Sequence, residues 1–447
     1  MRSLLRAAVL AICTAPWVVA GSASGQVSLT PAQMREDLTY LREQWSPRNK
    51  SFTPDQQRAF EGAIDDAAAR AERLSASDFA LEVSRALAVG RNGHTAPFGG
   101  MGRYFRSLPV TAWWFPDGFY ILRAHPQFAE LLGARIERIG GLTPEDALSR
   151  AQPFISGTDQ RIRVIGAGYL TRIELLRAIG ATDGEQVELT LRLRDGTPRM
   201  VRLSAAPAPD PDGNPLFIPI RSASGIAGRW SHVHDQVQAL PLAYQRPVDM
   251  AFDWIGEAKD IAYLRSNYIH NVDTTPMQQK LQEAVVWQIA PRRPRFAIID
   301  LRLNNGGDFF NTLLLTQALH RLMSVDGKIF VLVDRGTFSA ALVTAALFKG
   351  NAPGRTVLIG ETMGDGGRFW AEGGFVRLPH SQIEVMYNDG LHDWVNGCAN
   401  EPDCYWPVRA WGVNNGSLEP DIRVIPTFAD FAGGRDPVLE TALSLAK

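Results

Sequence analysis

The chain has 447 residues, 45% of them hydrophobic and 21% charged, with a formal net charge of −1. That is the composition of a globular protein with enough chain for two or three domains. The even balance of charge excludes an electrostatic case for binding nucleic acid or an anionic membrane. Lysine is scarce, occurring only at Lys50, Lys259, Lys280, Lys328, Lys349 and Lys447.

Residues 1–25 read as a secretory signal peptide, with Arg2 and Arg6 as the basic start, Ala7–Ala20 as the apolar stretch and Ala23-Ser24-Gly25 as a small-residue cleavage site before Gln26. The apolar stretch is short and interrupted by Pro16, which argues against a membrane span. Cys13 faintly resembles a lipoprotein cleavage box, although Ile12 is too bulky for the position before such a cysteine. A periplasmic or secreted chain is expected. Cleavage leaves only Cys398 and Cys404, and the run CANEPDC in an exported protein predicts a local disulfide closing a small loop.

Residues 26–104 form an N-terminal helical region. Thr30-Pro31 and Thr53-Pro54 each start a helix, and Ser77–Ala88 makes a third. His94 follows in NGHTAPFGG. A histidine among Gly, Asn and Pro on a loop is either a turn residue bonding backbone or a functional group.

Residues 105–206 look β-rich: FYILRAH, ARIERIGGL, VELTLRL and RMVRLSA alternate as strands do, with turn signals at Gly140-Gly141 and Asp195-Gly196. Pro144 opens a helix at its first position. The segment GARIERIGGLTPEDAL resembles the strand, Gly turn and helix of PDZ domains, which capture extended peptides along a sheet edge; a clear carboxylate-binding loop is missing. Residues 207–259, rich in Pro, Gly and Ser at their start, read as a linker or arm. His232 and His234 within it have no evident carboxylate or cysteine partner for a metal.

The core, residues 260–447, alternates strands and helices, which predicts βαβ crossovers. Phe296–Asp300 is short and apolar enough for a buried strand. Asn304-Asn305-Gly306-Gly307 is a turn able to leave backbone N–H groups uncovered, and Asn311–Met323 is helical. The pattern repeats with strand Ile329–Val333, turn Asp334–Phe338 and helix Ser339–Phe348. Ser339 thus stands at a helix start, where unpaired N–H groups and partial positive charge suit a developing oxyanion. Spacing alone leaves open the plainer reading that Ser339 is only a helix cap.

The runs IIDLRLNNGG, TFSAA and IGETMGDGG, in this order, resemble the C-terminal processing (tail-specific) serine peptidase family. The likeness is to its lysine-free branch, which includes the tricorn core protease and interphotoreceptor retinoid-binding protein. LPHSQIEV and LEPDIRV extend it, over residues 260–447 and a short piece around His94. The resemblance implies an α/β fold: a Clp protease/crotonase-like spiral α/β core with an N-terminal helical region and a PDZ-like module. It also implies His94 as general base for Ser339, an oxyanion site made by the amides of Ala340 and of Gly306 or Gly307, and structural roles for Asp300 and Arg302.

Two departures stand out. Where the family's main branch carries a lysine base, this chain has Asp365, and Lys349 lies inside the helix after the serine. Where the tricorn-like branch places a serine before the histidine and a distant glutamate, this chain has Gly93 and Asn414. Asn414, Glu361 and Glu419 are therefore the candidates for orienting His94, with Glu361 equally a structural strand-end residue. The expected function is an exported serine hydrolase, a peptidase first, acting on a peptide or protein substrate through an acyl-enzyme, with no cofactor or metal required. The alternative is an inactive scaffold binding peptides or hydrophobic ligands.

Overall fold

The computed structural model describes residues 28–447 apart from 207–209, 211–215, 217, 221–227, 273 and 412–413. The signal-peptide expectation and Cys13 lie outside the described residues.

Three helices come first, Pro31–Tyr40, Pro54–Ala69 and Ala76–Ala88. Thr30, Thr53 and Ser75 each accept a bond from the residue three further on, while the side chains of Gln33, Gln56 and Asp78 reach back to the cap backbone. Each start is therefore a capping box, which satisfies two orphan donors. The third helix begins at Ala76 rather than Ser77 because Ser75 is its cap. Trp45, Phe60 and Phe79 are buried under these helices against Leu378, Ile383 and Val385. Val385 belongs to a small sheet of Pro97–Gly99, Glu384–Tyr387 and Gly374–Arg377, and Leu378 and Ile383 flank its last two strands; Pro97–Gly99 leads the chain away from His94.

The next region is an antiparallel sheet of Val110–Phe115, Gly118–Ala124, Arg135–Ile139, Val187–Arg192 and Pro198–Leu203. The last four are the runs recognised by alternation. The first, VTAWWF, is joined to its neighbour by a tight hairpin at Pro116-Asp117. The expected helix Pro144–Ala151 is present, and two more, Asp159–Tyr169 and Ile173–Ala178, cover the sheet. The arm is partly built into both neighbours. Ser231–His232 pairs with Arg123 and Ala124, and Ala251–Ile255 is an antiparallel edge strand of the core sheet. His232 and His234 are buried, with ring nitrogens 3.3 Å and 2.6 Å from the Ile218 and Phe431 carbonyls. No cluster of metal-binding side chains occurs among the described residues.

The core sheet runs in the order Ile422–Arg423, Thr356–Gly360, Lys328–Val333, Phe296–Asp300, Ile261–Arg265, Ala251–Ile255, parallel except for the last pairing. Apart from Asp300 and Lys328 at their ends, the central strands Phe296–Asp300 and Lys328–Val333 are apolar because both faces are covered. Ile298, Phe330, Leu332 and Ile359 pack against Val438 and Ala442 on one face. Ala297, Ile299, Ile329 and Val331 meet the helices Phe310–Leu322 and Ala340–Asn351 on the other. The fold class is α/β with N-terminal helices, as expected. Cys398 and Cys404 form a disulfide. Among the described residues no helix is long and apolar enough to cross a membrane.

Candidate active site

Strands Phe296–Asp300 and Lys328–Val333 are parallel neighbours, so the turns leaving them emerge side by side. Side chains and backbone then lock the two turns together. Thr337 Oγ1 donates to the Leu301 carbonyl at 2.9 Å, Leu303 N–H to Asp334 Oδ1 at 2.9 Å, and Phe338 N–H to the Asn304 carbonyl at 2.9 Å. Asn304 is itself fixed, donating from Nδ2 to the Ser266 carbonyl at 2.9 Å and accepting the Gly306 N–H at 2.9 Å.

This lacing sets Gly306 against Ser339. A Cβ at Gly306 would stand 2.7 Å from Ser339 Cβ and 3.0 Å from the Ala340 nitrogen, and Gly306 has φ 97°. Only glycine lets the turn come so close. Gly307, at φ 142°, packs equally tightly on the Ile269 carbonyl.

Ser339 has φ 55° and ψ −126°, and its side chain makes no capping bond to the helix Ala340–Asn351. The plain helix-cap reading required an extended backbone and that bond. A non-glycine residue held at positive φ at the sharp turn from strand to helix is strained, and the strain presents its side chain at the top of the sheet. Ser339 is partly exposed, whereas Ala340 and Phe338 are buried.

His94 is delivered by its loop to the same turn. Asn92 anchors that loop, its Nδ2 donating to the Trp370 carbonyl at 2.9 Å and its Oδ1 accepting the Trp370 N–H at 3.2 Å. Gly93 is required beside it, since a Cβ there would lie 2.7 Å from the Phe338 ring. The His94 ring is sandwiched between Phe338 and Phe369, with centroids 4.6 Å and 5.3 Å away. His94 is buried and neither ring nitrogen has a hydrogen-bond partner among the described residues. Burial, with smaller contributions from His392 and Arg161, pushes its pKa down to about 3, so the imidazole is neutral at ordinary pH.

The carboxylate that faces His94 is Asp365, whose Oδ2 lies 3.6 Å from His94 Nδ1. Burial, partly offset by Arg161 and by the nearby backbone of Gly366 and Ser339, raises its pKa to about 7. Arg161 comes from the β-rich region. Its guanidinium stacks on Phe338 at 3.8 Å and donates to Asn305 Oδ1 at 2.7 Å.

The three sequence candidates for orienting His94 are engaged or placed elsewhere. Glu361 is clasped by Arg335 at 2.8 and 2.5 Å and lines a cavity with Arg302 and Asp334. Glu419 accepts from Thr362 Oγ1 at 2.5 Å. Asn414 is exposed. Lys349 pairs with Asp421 at 3.1 Å. Sequence reasoning singled out Asp365 only as the place of a missing lysine, and Arg161 gave no signal at all.

No family model matches the sequence, and no curated protein does. Solved structures do match. The chain shares its fold with mature CPAF in complex with lactacystin, at TM-score 0.56 and 15% identity over 93% of this chain and 98% of that one. The photosystem II C-terminal processing protease matches at TM-score 0.38 and 14% identity, over 88% and 92% of the two chains. The tricorn protease matches at 0.40 and 16%, over 93% of this chain and 36% of that one. At 15% identity the likeness to CPAF shows a shared fold.

Proposed function

We propose that this protein is an exported serine hydrolase, a peptidase acting on peptide or protein substrates, with Ser339 as nucleophile and His94 as its base. The observation that carries the reading is the backbone of Ser339, strained at φ 55° with its hydroxyl released from helix capping. A serine hydroxyl needs a base to remove its proton, and the neutral His94 supplies an acceptor nitrogen. Ser339 Oγ attacks the scissile carbonyl as His94 Nε2 takes its proton. The same nitrogen returns the proton to the leaving amine, and water then opens the acyl-enzyme by the reverse sequence.

The negative oxygen of the tetrahedral intermediate is assigned to the N–H groups of Ala340 and Gly307. Gly306 N–H is already given to Asn304, so the part of Gly306 is to let the turn approach the serine. Each such donor is worth about 3–4 kcal/mol in a water-poor site. The Cys398–Cys404 disulfide fits an oxidising compartment.

The test is labelling of the mature protein by a fluorophosphonate probe. Wild type is expected to label, and folded Ser339→Ala and His94→Ala variants are expected not to. An unlabelled, folded wild type would sink the hydrolase reading.

A further inference from the structure

We propose, resting on the serine-hydrolase reading above, that Asp365 is the positioning residue for His94, holding Nδ1–H inward so that Nε2 faces Ser339. The site would then be completed from the segment where the resembled main branch keeps a lysine.

The ring needs such a partner. Stacking between Phe338 and Phe369 fixes the plane of the imidazole but not its rotation within that plane, nor which nitrogen bears the proton. A hydrogen-bond acceptor at one ring edge decides both. Asp365 Oδ2 is at the Nδ1 edge, 3.6 Å away. That is longer than a formed hydrogen bond, and catalytic bonds of this kind tighten when substrate binds. His94 Nδ1 and Asp365 Oδ2 are both buried and neither has another hydrogen-bond partner among the described residues, so each is the other's only complement.

The carboxylate is also held in place. Gly364 N–H donates to the Thr337 carbonyl at 2.9 Å, and Thr158 Oγ1 donates to the Gly364 carbonyl at 2.7 Å. The segment that carries Asp365 is therefore tied to the turn that carries Ser339.

Charge makes the same demand. During the reaction His94 becomes an imidazolium in a buried site that already holds Arg161 and lies near His392. An unpaired cation there is costly, and an adjacent carboxylate offsets the cost. Glu361 and Glu419 cannot serve while bound to Arg335 and Thr362.

The experiment measures the second-order rate of fluorophosphonate labelling against pH for wild type, Asp365→Asn and Asp365→Glu. Asp365→Asn is expected to label at least about 100-fold more slowly, within the roughly 10⁴-fold that a mis-set histidine tautomer can cost. Its rate should climb with hydroxide to pH 10 instead of reaching a plateau, and Asp365→Glu should recover part of the loss. An Asp365→Asn rate within threefold of wild type, while Ser339→Ala abolishes labelling, overturns the role of Asp365 and leaves the hydrolase reading standing. A slower rate with an unshifted profile and no recovery by Glu marks a merely structural role and overturns it too. No labelling of wild type overturns both. If Asp365→Asn does not fold, ¹⁵N-histidine NMR of wild type at pH 9, assigned with His94→Ala, decides: an Nδ1–H tautomer is expected, and an Nε2–H tautomer overturns the proposal.

Discussion

At the end of strand Phe296–Asp300, the buried guanidinium of Arg302 bonds Asp300 through Nε and Nη2 at 2.9 and 2.6 Å and Asp436 through Nη1 and Nη2 at 2.7 and 2.9 Å. Tyr263 adds its hydroxyl to Asp300 at 2.8 Å, and Asp436 also caps the helix Pro437–Leu445. Around the neighbouring turn, His94 and Asp365 are as deeply buried but leave Nδ1, Nε2 and Oδ2 without a hydrogen bond. The titrations differ accordingly. Burial favours a neutral Arg302, but Asp300 and Asp436 outweigh it and hold the guanidinium charged. At His94 and Asp365 burial wins, and each is pushed towards its neutral form. A densely bonded ionic network ties elements together and directs most of its bonding capacity inward. An unsaturated pair costs stability and keeps its bonding capacity for the reaction.

The largest effect expected from this contrast is on the saturated side. Arg302→Met strands two carboxylates in the interior, and breaking such a network costs about 3–5 kcal/mol. Urea unfolding should show the midpoint falling with little change in slope. A loss below about 1 kcal/mol would mean that Asp300 and Asp436 find other partners, and the contrast between the two clusters would be weaker than the geometry implies.

Gly306→Ala should come next, and it tests the join between the two turns. The added methyl meets Ser339 Cβ at 2.7 Å from a residue held at φ 97°. Overpacking of this kind costs roughly 1–3 kcal/mol, and displacing the oxyanion turn should slow probe labelling by about 100-fold or more. Normal labelling in a destabilised variant would show that the Gly306-Gly307 turn braces the fold without serving the serine.

Legibility in the sequence followed the range of the interactions. Thr30-Pro31, Thr53-Pro54 and Thr143-Pro144 mark helix starts because caps are local chemistry. The strand Phe296–Asp300 and the position of Ser339 at a strand-to-helix turn were legible for the same reason: a period and a turn signal within a few residues. VTAWWF was missed although its hairpin partner was recognised, since its consecutive aromatics blur the alternation. Ala251–Ile255 reads as part of the arm in the sequence because a five-residue edge strand has little pattern of its own. The strain at Ser339 could not be read at all, since it comes from Thr337 and Phe338 being bonded to Leu301 and Asn304 across the sheet. Arg161 and Asp365 reach His94 from separate regions, and nothing near either one in the chain announces the meeting.

The smallest and most specific prediction uses proton linkage at the unsaturated pair. His94 titrates near 6.5 when unfolded and at about 3 when folded. Its contribution to stability is therefore full above pH 6.5 and is lost as pH falls towards 3. Asp365 behaves oppositely: its pKa rises from 3.8 to about 7, so its contribution is full below pH 3.8 and is lost as pH rises through 7. Between pH 4 and 6.5 the two slopes oppose each other, and the wild-type pair should be close to flat. Single variants separate them. In Asp365→Asn only His94 remains, and stability should rise with pH across that window; in His94→Phe only Asp365 remains, and stability should fall. Each slope is at most about 1.4 kcal/mol per pH unit, the value for one proton. The shift of His94 comes from burial, His392 and Arg161, and that of Asp365 from burial, so neither should vanish when its partner is replaced. Urea midpoints at pH 4.5 and 6.5 are sufficient to read both signs. Equal signs in the two variants would show that the pair is not held out of water as its burial requires, and the distinction from the Arg302 cluster would fail at its electrostatic root.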